Sequence, residues 1–305
     1  MIQKNVVLIL GAGASQPFGL PLGKGLLSMI LNVDEKTDEF RFLMNSGFDA
    51  MKINEFRSEL RLAGRTSVDA FLETNEEFMD VGKAMISLLL ANCEKGQKLY
   101  SPETEENWYQ YLLEIVIRGA PPTEMDWSEL SFVTYNYDRS LEFYLFNAIK
   151  RLVPVPDRNF SSVSALFSRI RILHIHGLID NPKLSSELEG RGYGKIKSEE
   201  DLRRSMRSIT IIHEKEKSTS SYPMVHALLS EAESIVFLGF GYHPTNMSRL
   251  EVVHHKRPDA TVYGSTLGMT DSEVMFHLHR ELPGNYEHKT TLGLLRDQLE
   301  IFYRT

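Results

Sequence analysis

Asn136 and Asp138 stand two residues apart in Thr134-Tyr135-Asn136-Tyr137-Asp138, at the end of an apolar run. In extended chain both side chains point to one side. A carboxamide and a carboxylate so placed can hydrogen-bond an amide-bearing ligand and hold a water. Either residue can equally cap the helical pattern that continues through Leu141 and Leu145. His174 and His176 repeat the two-residue spacing at the end of another apolar run, with His176 directly before Gly177. That spacing puts both imidazoles on one side, and His176 is suited to act as a base near neutral pH. A metal pair there lacks an evident third ligand, and a lone strand-end histidine is usually structural.

Two glycine turns complete the set. Gly11-Ala12-Gly13-Ala14-Ser15 follows Val6–Leu10, and Gly239-Phe240-Gly241 follows Ser234–Leu238. Glycines at a strand end let backbone approach a pyrophosphate closely, so the ligand class is a dinucleotide. The pattern departs from a redox-type fingerprint. Gln16 takes the third glycine position, and Asp34, where a ribose-binding acid would fall, has no strand leading into it. The start also imitates a secretory signal, with Lys4, an apolar run and Ala12-Gly13-Ala14. The run is short and only one base precedes it, which disfavours that alternative.

The elements that must position these residues follow from the apolar runs. Strands are expected at Val6–Leu10, Leu130–Thr134, 171–175, Ser234–Leu238 and 260–263. Most are followed by a helical pattern, and that alternation implies βα units. The expected fold is a single α/β domain over 1–305, a Rossmann-like parallel sheet with flanking helices. Residues 24–125, mostly helical in periodicity, form a large helical insertion after the first strand. Trp108, Tyr109 and Tyr111 within it are expected in the core rather than at a ligand. Residues 181–221, rich in charge and serine, are expected as a loop and an exposed, mobile helix. In an open parallel sheet, ligands bind beyond the carboxyl ends of the strands. That rule gathers Gly11–Ser15, Asn136–Asp138, His176, Gly239–Gly241 and Gly264-Ser265 on one edge.

The chain has 305 residues, 42% hydrophobic and 25% charged, enough for a sizeable core. A net charge of −7 argues against a broad nucleic-acid-binding face. The single cysteine, Cys93, excludes an intramolecular disulfide and a multi-cysteine zinc site. No apolar run reaches the length of a membrane span, so the expected location is cytoplasmic.

Gly11-Ala12-Gly13-Ala14-Ser15 with Gly19-Leu20-Pro21, Thr134–Asp138, His176-Gly177 and the late turn at 239–244 together resemble the sirtuin, or silent information regulator, family. The motifs fall in family order over about residues 6 to 266. Residues 67–72 and Asn107-Trp108 resemble the bacterial branch with a helical insertion. The family's deacylases carry a four-cysteine zinc module after the catalytic histidine, and no cysteine follows Cys93 here. Gly23 and Lys24 replace the deacylase Phe-Arg, and Tyr135 replaces the usual Gln. The resemblance therefore implies the zinc-less bacterial branch, NAD+ hydrolases of anti-phage defence. It implies NAD+ as substrate rather than recycled cofactor, and no metal. Asn136, Asp138 and His176 would be catalytic. Gly11, Ala12, Gly13 and Ser15 would hold the pyrophosphate and ribose, with Gly239, Gly241, Gly264 and Ser265 facing the adenosine half. Control by a homo-oligomer or a separate partner, such as an ATPase or Argonaute-type protein, is expected. The alternatives are a deacylase that lacks its zinc, a non-catalytic subunit binding NAD+ or ADP-ribose, and an ordinary dehydrogenase.

Overall fold

The structure, a computed structural model, describes residues 2–118, 127–154, 156, 158–181, 191–211 and 221–304. Six parallel strands form one sheet in the order β3-β2-β1-β4-β5-β6. They are β1 (Val6–Leu10), β2 (Leu130–Thr134), β3 (Arg171–His174), β4 (Ser234–Leu238), β5 (Thr261–Ser265) and β6 (Asn285–Glu287). This is the Rossmann-like α/β arrangement, with its reversal of strand order between β1 and β4. β1, β2 and β4 are buried at every residue, which is why they read as mostly apolar runs without alternating polar positions. The central register is in step, with Val6 level with both Leu130 and Ser234, so their carboxyl ends finish together.

Alternation along β1 divides the core in two. Val6, Leu8 and Leu10 join one cluster, which includes the helices Trp108–Ile117 and Ser140–Leu152. Val7 and Ile9 join the other, built on the helix Tyr222–Glu231. The expected strands at 171–175 and 260–263 differ at their ends, since β3 stops at His174 and β5 runs Thr261–Ser265. β6 has no apolar run to announce it, being one exposed and two half-buried residues paired to β5.

The expected insertion divides. Its earlier helices, from Gly23–Leu31 to Met79–Cys93, build a third core off the sheet around Phe56, Phe71 and Phe78. Its last helix, Trp108–Ile117, instead packs in the sheet core, where Trp108 and Tyr109 are buried as expected. The third core also takes Ile179, Ile196, Leu202, Ile209 and Ile211 from the chain after β3. The helix Glu199–Ser208 is accordingly amphipathic rather than fully exposed, with Leu202 buried and Glu199 and Arg203 paired outside. The expected mobile loop falls largely on 182–190 and 212–220, which lie outside the described residues. No helix among the described residues is long and apolar enough to cross a membrane.

A buried ion pair joins the helical part to the sheet. Arg139 follows Asp138 and is fully buried. Its Nε and Nη2 each donate to the Glu94 carboxylate at 2.8 Å, a bidentate match. The remaining donors reach the carbonyls of Arg191 at 2.8 Å and Gly192 at 3.0 Å. Glu94 in turn accepts from Gly194 N at 2.8 Å and lies 3.0 Å from Arg191 Nη1. Removing one partner strands the other charge in the interior. Glu94→Ala is expected to lower unfolding free energy by about 3–5 kcal/mol in urea titration.

Candidate functional site

The first constraint at the strand ends is steric. The turns after β1 and β4 lie backbone against backbone. Gly11 N donates to Leu238 O at 3.1 Å and Gly13 N to Gly239 O at 2.9 Å. A Cβ on Gly11 would stand 2.6 Å from Gly239 O and 2.7 Å from Phe240 Cα. Gly239 has φ +55, and a Cβ there would overlap the Ala14 amide nitrogen. The glycines are thus required by the mutual approach of two turns. The amides of Gly11 and Gly13, expected to cradle a pyrophosphate, are committed to that contact instead.

A cleft of about 810 Å³ opens beside the paired turns. Gly13, Gly239, Gly241 and Ser265 line it, together with Gln16 and Phe240. Ser265 also fixes the turn, accepting from Gly239 N at 2.8 Å. The volume lies in the range of small-molecule and cofactor sites. Lys98, Lys289, Glu103, Glu105 and Glu106 give the walls both signs of charge. Gly264 does not line this cleft. A Cβ there would overlap the Tyr242 hydroxyl and stand 2.6 Å from the Tyr286 ring, so its smallness serves packing.

Asn136 and Asp138 do face one side, as their spacing predicts, but into a separate small space of about 10 Å³. That is the size of a single water. Ser15, Tyr109, Thr134, Glu142 and His174 share its walls. The half-buried Asn136 carboxamide donates to Gly11 O and to Ser15 Oγ, both at 3.0 Å. Asp138 is buried and accepts from Ser140 N at 3.0 Å and from the Ser140 hydroxyl. The helix Ser140–Leu152 takes Arg139 rather than Asn136 or Asp138 at its N-cap position, and Asp138 bonds the first helical residue from just outside it. Burial pushes the Asp138 carboxyl up, against hydrogen bonds from Ser140 and Ser15 that favour the anion.

The two histidines part company, contrary to the expectation that both face one side. β3 ends at His174, and the chain then turns through Gly177, whose φ is +70. His174 turns toward the small space, its Nδ1 3.0 Å from Asn136 O and its Nε2 against Glu142. His176 goes to the other side, its ring 5.3 Å from Tyr135 and 6.1 Å from Tyr137. It is buried and lines neither cavity. Tyr135 stands edge-on to both His176 and Phe240, so one aromatic ring separates His176 from the cleft wall. Sequence reasoning missed Glu142, Ser140, Arg139 and Lys98, which carry no spacing signal apart from the helices that hold them. Compared with models of known protein families and with curated protein sequences, the chain matches none.

Two outcomes follow from this geometry. Gly239→Ala forces a side chain into a left-handed residue packed on backbone, and is expected to cost more than about 2 kcal/mol in urea unfolding. For His174, burial opposes the charged form, but the Glu142 charge and hydrogen bond outweigh it and raise the imidazole above its usual 6.5. Stabilisation by this pair is fully present below the unfolded value and is lost as pH rises through the folded one. His174→Gln is therefore expected to destabilise more at about pH 6 than at about pH 9, read by thermal melting at both.

Proposed function

We propose that the protein cleaves NAD+ at the nicotinamide–ribose bond, releasing nicotinamide and ADP-ribose. One observation carries this reading. At the reversal point of the strand order, a nucleotide-sized cleft lined by Gly13, Gly239 and Gly241 adjoins a carboxamide held by Gly11 O and Ser15. Ligands in open α/β sheets bind at that point. Beside the carboxamide is space for one water, the co-reactant a hydrolase needs.

Breaking the bond leaves an oxocarbenium-like centre, so positioning and charge stabilisation dominate. Asn136 holds the water whose oxygen bonds the ribose carbon as nicotinamide leaves with the glycosidic electron pair. Asp138 binds the nicotinamide carboxamide, and its burial strengthens that recognition. The water's proton is released to solvent, and His176 contacts the ribose hydroxyls once Tyr135, which stands between it and the cleft wall, moves aside. Gly13 lines the cleft beside the pyrophosphate, with Gly11, Ala12 and Ser15 shaping the turn behind it, and Gly239, Gly241 and Ser265 line the adenosine half. Gly264 supports this half indirectly, by admitting Tyr242 and Tyr286.

Such a hydrolase suits an effector of anti-phage defence that depletes NAD+. The small size of the space around Asn136 supports control, because at about 10 Å³ it admits a water and takes nicotinamide only if its walls move apart. Homo-oligomerisation, or a separate partner of the ATPase or Argonaute type, would supply that opening. The same closure favours a second reading, a subunit that binds NAD+ or ADP-ribose without turnover.

Asn136→Ala and His176→Ala are each expected to lower nicotinamide release at least about 100-fold while circular dichroism stays unchanged. Release by the unaltered protein should need no acylated peptide. Normal release by both variants would overturn the assignment. Saturable NAD+ binding without release, alone and with the genomic neighbour, would favour the second reading.

A further inference from the structure

On the helices that flank β4, His226, Glu251 and His255 converge at the surface. His226 lies in the helix Tyr222–Glu231, and Glu251 joins the helices Pro244–Leu250 and Val252–His255. The two imidazoles lie nearly parallel, 3.7 Å between ring centres. Both turn Nε2 toward the same carboxylate oxygen of Glu251, at 3.9 Å from His226 and 3.6 Å from His255. All three donor atoms lie within 4.8 Å of one another.

We propose that these three side chains form a divalent transition-metal site of the zinc class. Two neutral imidazoles and one carboxylate are a donor set for zinc, whereas magnesium and calcium take oxygen ligands. An ion at the usual bond lengths needs tetrahedral donors about 3.3 Å apart. The two histidine–glutamate separations exceed that by a few tenths of an ångström and all three donors lie within 4.8 Å, so binding requires the imidazoles to turn out of their stacked arrangement until both Nε2 atoms face one ion. The side chains are 19%, 49% and 34% exposed for His226, Glu251 and His255. A fourth position is therefore open to water. The ion would replace the long 3.4 Å contact between His226 Nε2 and Arg249 O.

The backbone supports the assignment. Glu251 has φ +45, a left-handed conformation that disfavours a residue bearing a Cβ. That geometry turns its carboxylate back over the next helix, so that one oxygen serves histidines from two helices. A bound ion would tie the helix Tyr222–Glu231 to the link after Pro244–Leu250. Sequence spacing shows only the Glu251–His255 pair; His226 joins through the fold. The proposal is independent of NAD+ cleavage, and neither stands or falls with the other.

The test uses the full chain after chelator treatment and dialysis. Titration with zinc chloride by calorimetry is expected to show one saturable equivalent, and saturation to raise the melting temperature by roughly 5 °C. Cobalt(II) should give the intense visible absorption of a tetrahedral ion. The double variant His226→Ala/His255→Ala, and separately Glu251→Gln, should weaken zinc more than about 100-fold, beyond the loss typical of outer-shell changes. Glu251→Gln keeps the shape of the side chain and guards against a folding defect in the double variant. Absence of saturable binding, or binding unchanged in both variants, would overturn the proposal.

Discussion

The contact on which the site depends is backbone against backbone, where the turn after β1 meets the turn after β4. Gly13 N donates to Gly239 O at 2.9 Å, and no side chain fits between the two strands' ends. Side chains elsewhere are arranged around that closeness. Ser265 reaches back from β5 to hold Gly239 N, and Asn136 reaches across from β2 to hold Gly11 O. Trp108 fixes the far side, donating from Nε1 to Ala14 O at 2.7 Å. Four separate stretches of chain thus converge on one short turn, and the cleft is the space left beside it.

This convergence explains the concentration of buried polar groups behind the cleft. Turn carbonyls and amides need partners once buried. Asn136, Ser15, Ser140 and Asp138 supply them in a connected set, with Tyr109 bonded to Ser140 at 2.8 Å. The Arg139–Glu94 pair then anchors the same loop to the helical part, so any movement of that part pulls on the residue next to Asp138. The short bond from Tyr137 to Asp69 gives a second tether between the same loop and the same helices. A partner pressing on the helical part would act on the Asn136 loop through these two links.

The frame was legible because buried parallel strands carry a local signature. Val6–Leu10, Leu130–Thr134 and Ser234–Leu238 are each predominantly apolar and buried throughout, and each ends where it was expected. β6 and the exact ends of β3 and β5 were not legible, since pairing rather than composition sets them. The polar set around Asn136 was half legible. Asn136 and Asp138 stand out by type and position, but Glu142 and Arg139 look like any charged residues near a helix start. Only the fold reveals that Arg139 and Glu94 are buried face to face across 45 residues of sequence. The helical core is a similar case, since Leu202 and Ile209 join it across a long separation that no periodicity reports.

The histidines show where spacing rules stop. Alternation of side chains belongs to the pleat, and it lasts only while the chain stays extended. Beyond β2 the chain remains extended through Asp138, so Thr134, Asn136 and Asp138 share one side while Tyr135 and Tyr137 take the other. Beyond β3 the chain turns at once, because Gly177 packs where any Cβ would overlap the Ser208 carbonyl. His176 therefore lands with Tyr135 and Tyr137, opposite His174. One motif keeps its two polar groups together, and the other separates a histidine held by Glu142 from a histidine set among aromatic rings. The division places charge on the Asn136 side of the loop and aromatic surface on the other.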